Sequence, residues 1–116
     1  MENLIVNNFN TNVLQFLVQL NNVNNNTFNN NIIKCRLIIK LNNKLLINKF
    51  YENIYKYNNL IYTKNYDILY KLQDLEIFDN INLIEIWNIL SNKDRNVCWD
   101  FLEVFILLCD KYYLNK

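Results

Sequence analysis

The chain contains no glycine, no proline, no histidine and no alanine among its 116 residues. Each absence excludes something. Without glycine there is no Gly-rich loop to cradle a phosphate. Positions that need a positive φ fall to asparagine, the next most tolerant residue. Without proline, no rigid turn or cis-proline step is available. Without histidine, the usual general base and the commonest metal ligand are gone. Long apolar runs are also missing, since the longest, residues 104–109, is far short of the ~20 residues a membrane span needs. The amino terminus carries Glu2 and a stretch broken by asparagines, so it lacks the basic start and continuous apolar core of a secretory signal. These features predict an intracellular protein with no membrane span.

What is present is skewed towards Asn, Leu, Ile, Lys, Tyr and Phe. All but leucine have A- and T-rich codons, and glycine, proline and alanine need G- or C-rich ones. An AT-rich genome therefore accounts for the composition, and it discounts the eight tyrosines and many lysines as a nucleic-acid signature. The same skew predicts that asparagine pairs mark helix ends and turns in place of glycine. Asn25-Asn26-Thr27 matches a glycosylation sequon, which without secretion is a chance match. With 52% hydrophobic residues and a net charge of +1, the chain reads as an ordinary globular protein. Its length fits one domain, residues 1–116, which would bury roughly two-thirds of the unfolded surface.

Cys35, Cys98 and Cys109 are an odd number of thiols without a secretory signal, which predicts the reduced form. Cys98 and Cys109 stand 11 positions apart, roughly 16 Å along one helix and too far for a disulfide. A zinc site would need all three plus a carboxylate, and their spacing matches no finger or ribbon. Inert core thiols are the expectation.

Helical periodicity dominates the chain. Val13, Phe16, Leu17 and Leu20 line one face of a helix over residues 11–20. Asn10 is its expected cap, with Phe9 stapled onto Leu14. Residues 21–31 read as an Asn-rich flexible connection. Residues 32–41 are ambiguous: Ile33, Cys35, Leu37, Ile39 and Leu41 alternate like a strand, whereas a helix would bury Ile33, Leu37 and Leu41. The helix is preferred because no convincing partner strand exists. From Asn43, the residues Leu46, Phe50, Ile54, Tyr57 and Ile61 follow helical spacing, and a shorter helix is expected over residues 66–72.

The last third is the most legible. Residues 81–90 predict a helix opened by Asp79 or Asn80. Ser91, the only serine, stops it and caps a final helix over residues 92–113, with Asp94 favouring its amino terminus. Cys98, Phe101, Leu102, Phe105, Leu108, Cys109 and Tyr112 form a broad stripe that Val104, Ile106 and Leu107 extend almost all round. This helix should therefore be central and wrapped by its neighbours. Trp87 and Trp99 are expected as core anchors of the helical hairpin, with Arg95 over the ring of Trp99. The fold class is all-α, a single compact bundle of four to six helices with a buried C-terminal helix.

No catalytic constellation emerges. The carboxylate groups at Asp100 and Glu103, and at Asp74, Glu76 and Asp79, read as solvated surface, and Ser91 reads as a cap. The chain is expected to be no enzyme and to need no metal, cofactor or small-molecule ligand. Charge is the feature that stands out. Up to Asn65, seven basic groups face two acidic ones, a net of +5, and from Tyr66 five basic groups face nine acidic ones, a net of −4. Lys34, Arg36, Lys40, Lys44, Lys49, Lys56 and Lys64, with Tyr51, Tyr55 and Tyr62 nearby, make residues 34–64 a candidate surface for nucleic acid or an acidic partner. The alternatives are that the two halves attract each other within the fold, or that the charge dipole sustains head-to-tail self-association.

The run Ile86-Trp87-Asn88-Ile89-Leu90-Ser91, followed by Arg95, Trp99, Phe101 and Leu102, carries a resemblance, as do Asn8-Phe9-Asn10-Thr11-Asn12 with Phe16 and Leu17, and residues 43–50. Together they resemble small helical proteins of the nucleocytoplasmic large DNA viruses, of the mimivirus-like kind. The chain departs from that pattern in lacking a proline after the first helix and an acidic, Phe-containing insertion near residues 61–66. The resemblance implies a viral protein made in host cytoplasm, present there or in the virion, and implies no activity. The leading expectation is a non-enzymatic interaction or structural protein whose partner is another protein or the chain itself. Nucleic-acid binding through residues 34–64 is the second.

Overall fold

Seven α-helices account for most of residues 2–114, the part described in this computed structural model: α1 (Glu2–Val23), α2 (Asn29–Leu41), α3 (Leu45–Asn53), α4 (Asn58–Tyr62), α5 (Ile68–Leu72), α6 (Leu83–Ile89) and α7 (Asn92–Cys109). Short 3-10 turns occupy Tyr55–Tyr57 and Glu76–Phe78, and a π-helical turn, Asp110–Leu114, extends α7. No strand occurs among the described residues, so the class is all-α. The helix number exceeds the expected four to six because the helical period after Asn43 is broken at Ile54. There φ falls to −115° and a 3-10 turn follows. Phe50, Ile54 and Ile61 stay buried on both sides of the break, so the bend keeps the apolar stripe turned towards α7.

Helix α7 lies at the centre. Ser91 Oγ accepts the N–H of Asp94 at 3.1 Å, the cap its sequence predicts. Cys98, Trp99, Leu102, Phe105, Ile106, Leu108 and Cys109 are buried, and α1 and α4 both pack on the helix. The Phe105 ring lies 5.3, 5.5 and 5.8 Å from those of Phe9, Phe50 and Phe16, so one side chain joins α1, α3 and α7. The helix is not wrapped all round, however: Leu107 is half exposed and Val104 is only partly covered. Trp87 and Trp99 are both buried and meet edge-to-face at 5.2 Å. Arg95 lies over Trp87 and not over Trp99, because its Nε donates to the Trp87 carbonyl at 3.0 Å.

The amino-terminal half departs further from its sequence reading. Helix α1 begins at Glu2, so Phe9 and Asn10 lie in its interior, and Asn10 is not a cap. Val6 and Phe9 continue the stripe of Val13, Phe16, Leu17 and Leu20, and their burial outweighs the weak helix propensity of asparagine. Asn10 is itself buried and its Nδ2 donates to the Asn43 carbonyl at 2.8 Å, holding the α2–α3 link against α1.

Residues 21–31 are not an open link. Most belong to α1 or α2, and the turn between is built by side chains. Asn21 Oδ1 accepts the Phe28 N–H at 2.7 Å, and Asn24 Nδ2 donates to the Leu20 carbonyl at 2.7 Å. Asn25 and Asn26 take φ of 53° and 61°, the left-handed region that glycine usually fills. Asn80 does the same ahead of α6, whose cap is Asn82 and neither Asp79 nor Asn80.

Residues 32–41 lie in α2, with the opposite face buried from the one expected. Ile32 and Cys35 are buried, whereas Ile33, Leu37 and Leu41 are 57%, 53% and 81% exposed. Seven apolar residues in this segment offer two candidate faces, and polar contacts choose between them. Buried Asn31 donates from Nδ2 to the carbonyls of Ile77 and Asp79 at 2.9 and 3.0 Å. One turn on, Lys34 Nζ meets Asp79 at 2.7 Å and Glu76 at 3.3 Å.

Candidate functional site

The outer face of α2 follows from that choice. Ile33, Leu37 and Leu41 are four residues apart and form one exposed row, and Arg36 and Lys40 form the adjacent row three residues on. Lys44 follows just beyond the helix, also exposed. Among the described residues, Arg36, Lys40 and Lys44 have no carboxylate partner. The result is an aliphatic strip bordered by unpaired positive charge.

Lys64, on the turn after α4, and Tyr62 are exposed, and the other candidate residues are engaged. Lys34 bridges to Asp79 and Glu76, and this hydrogen bond to Asp79 is the main cause raising its pKa above the ordinary lysine value. The two oppositely charged halves of the chain thus attract each other within the fold at this point. Lys49 pairs with Glu52 at 3.5 Å on α3, and Lys56 lies over the Tyr57 ring. Tyr51 stacks on Tyr113 at 3.9 Å with planes 22° apart, and its other neighbour is Tyr55 at 4.9 Å. The Tyr55 hydroxyl donates to Asp110 Oδ1, which pushes its pKa up to about 12. Both rings therefore serve to dock α3 and the turn after it against the end of α7. Of the ten basic and aromatic candidates, the structure leaves Arg36, Lys40 and Lys44 together on one outer face.

The sequence reading missed Ile33, Leu37 and Leu41 as surface residues. The available signal was the surplus of apolar positions in residues 32–41, which no single helical face can bury.

Burial pushes Cys35 up to about 11, and Cys98 and Cys109 up to about 12, so these buried thiols hold their protons at neutral pH. Ser91 Oγ is occupied as a cap. Among the described residues no group of three His, Cys, Asp or Glu side chains is placed to hold a metal, and no helix is long and apolar enough to cross a membrane. A cavity of about 50 Å³ opens among Phe9, Phe16, Phe50 and Phe105, with Lys49 and Glu76 as the charged residues in its lining. A broader hollow of about 500 Å³ lies over Tyr70, Gln73 and Glu85. No family model, no curated protein and no solved structure matches this chain.

Proposed function

We propose that this chain is a non-enzymatic interaction protein that docks another protein through the outer face of α2. The observation that carries the reading is the exposed row Ile33, Leu37 and Leu41 beside unpaired Arg36 and Lys40. Apolar side chains aligned on one helix and rimmed by charge are the arrangement a helix-in-groove or helix-on-helix contact uses. The resemblance to small helical proteins of mimivirus-like viruses supports an origin in a large DNA virus, with the protein acting in host cytoplasm or in the virion.

A photo-crosslinking residue at position 37 tests this in cells making the protein, with position 88 on α6 as an exposed control. A light-dependent protein adduct from position 37 alone is expected. No adduct from position 37, or equal adducts from both, would contradict the reading.

Nucleic-acid binding is the second reading, favoured by the free positive charge of Arg36, Lys40 and Lys44. It is weakened by the engagement of Tyr51, which lies between Tyr113 and Tyr55, and of the Tyr55 hydroxyl, which donates to Asp110. Retention on DNA that falls steeply with salt and disappears in R36E/K40E would favour it over the protein contact.

A further inference from the structure

From the charge pattern of the two outer faces, we infer that the partner of α2 is the outer face of α7 on a second copy of this chain, joined head to tail. The inference rests on the docking reading above and names the occupant of that face. Along α7 and its extension, Asp100, Glu103, Leu107, Asp110 and Leu114 follow one another at spacings of three or four residues. Asp100, Leu107 and Leu114 are exposed, and Glu103 and Asp110 partly so. This row mirrors α2 in chemistry with the charge reversed: aliphatic side chains, here Leu107 and Leu114, beside carboxylates. Among the described residues, neither Asp100 nor Glu103 has a cationic partner. Tyr62 flanks the row from α4, and its hydroxyl pKa is raised by burial and then by Asp110 and Glu103, which marks the local field as negative.

The charges of these two faces are kept apart within the molecule. No residue from Asn3 to Ile33 is charged, so α1, on which both α2 and α7 pack, adds nothing beyond Glu2. Both outer faces point away from one core, so a single molecule cannot bring its own two faces together. Two molecules can. Arg36, Lys40 and Lys44 then meet Asp100, Glu103 and Asp110, while Ile33, Leu37 and Leu41 cover Leu107 and Leu114. The two faces differ, so the contact is heterologous, and each added copy leaves one face of each kind open. Particle size should grow with concentration, and the rim charges should make this growth weaker in high salt.

Sedimentation velocity on wild type, Leu37→Asp, Leu107→Asp and an equimolar mixture of the two variants tests this directly. Both sites are exposed, and unchanged circular dichroism and melting confirm that each variant folds. Wild type should form species that grow with concentration. Each variant alone should be monomeric, with association weakened by about tenfold or more. The mixture should stop at a one-to-one dimer, because each partner supplies one intact face. Wild type that stays monomeric up to millimolar concentration, or Leu107→Asp that associates like wild type, overturns the inference. Adducts from position 37 to a different protein that persist in Leu107→Asp would sink the self-contact and leave the docking reading standing. No adduct of any kind would sink both.

Discussion

The carboxy-terminal hairpin of α6 and α7 and the amino-terminal pair α1 and α2 are built by different means. Around α7 the joints are few and each residue type has one job: Ser91 caps, Trp87 and Trp99 lock, and the phenylalanines fill. In α1 and α2 one residue type does several jobs. Asn25 and Asn26 supply left-handed turns, Asn21 and Asn24 stitch a loop, and Asn10 and Asn31 tie helices to distant carbonyls. A chain without glycine or proline has moved turn-making into side-chain hydrogen bonds, and those of Asn21 and Asn24 are buried. The lesson is that the asparagine-rich half is as specified as the other, by polar contacts in place of shape.

Alkali should act on both regions and most strongly on the α6–α7 hairpin. Folded Cys35, Cys98 and Cys109 hold their protons to about 11, 12 and 12, against an ordinary value of 9.0. Between those limits the unfolded chain releases protons that the folded one keeps, so stability is full below pH 9 and falls as pH rises towards 12. Urea midpoints measured across that range should fall less in C98A/C109A than in C35A, because α7 carries two of the three shifted thiols. Equal slopes would show that the two regions bury their thiols alike.

Core truncation comes next. Phe105→Ala in α7 and Phe28→Ala in the α1–α2 turn should each cost about 3–5 kcal/mol by chemical denaturation. Phe28 is fully buried, so a loss below about 1 kcal/mol would make residues 21–31 a passive link after all.

Neighbouring asparagines sharpen the contrast further. Asn31→Ala strips two carbonyls of their donor and should cost about 1–3 kcal/mol. Asn30→Ala, one residue earlier and exposed, should stay within about 0.5 kcal/mol. Equal effects would remove the distinction between clamp and surface asparagine. On the other side of the comparison, Ser91→Ala should cost about 1 kcal/mol and Ser91→Asp should recover most of it, since either oxygen can accept the Asp94 N–H.

These differences explain what could be read from the chain. Ser91 is unique, so its cap was legible, and so was the broad apolar stripe that makes α7 central. The start of α1 was not, because asparagine serves as cap, turn, clamp and helix interior, and sequence does not separate these roles. The buried face of α2 was hidden by its surplus of apolar residues, and the contacts of Asn31 and Lys34 with residues 76–79 resolve it. The pairing of the basic residues on the candidate surface could not be read from the chain. Lys34 and Lys49 are neutralised by carboxylates, whereas Arg36, Lys40 and Lys44 are not. The aliphatic row beside them was assigned to the core.

The most direct measurement is methyl NMR on α2 with a soluble paramagnetic agent. In dilute protein the methyl signals of Ile33, Leu37 and Leu41 should broaden strongly while those of Ile32 remain sharp, and the first three should become protected as concentration rises. Sharp Ile33, Leu37 and Leu41 signals in the dilute sample would put this row back in the core and contradict the docking surface.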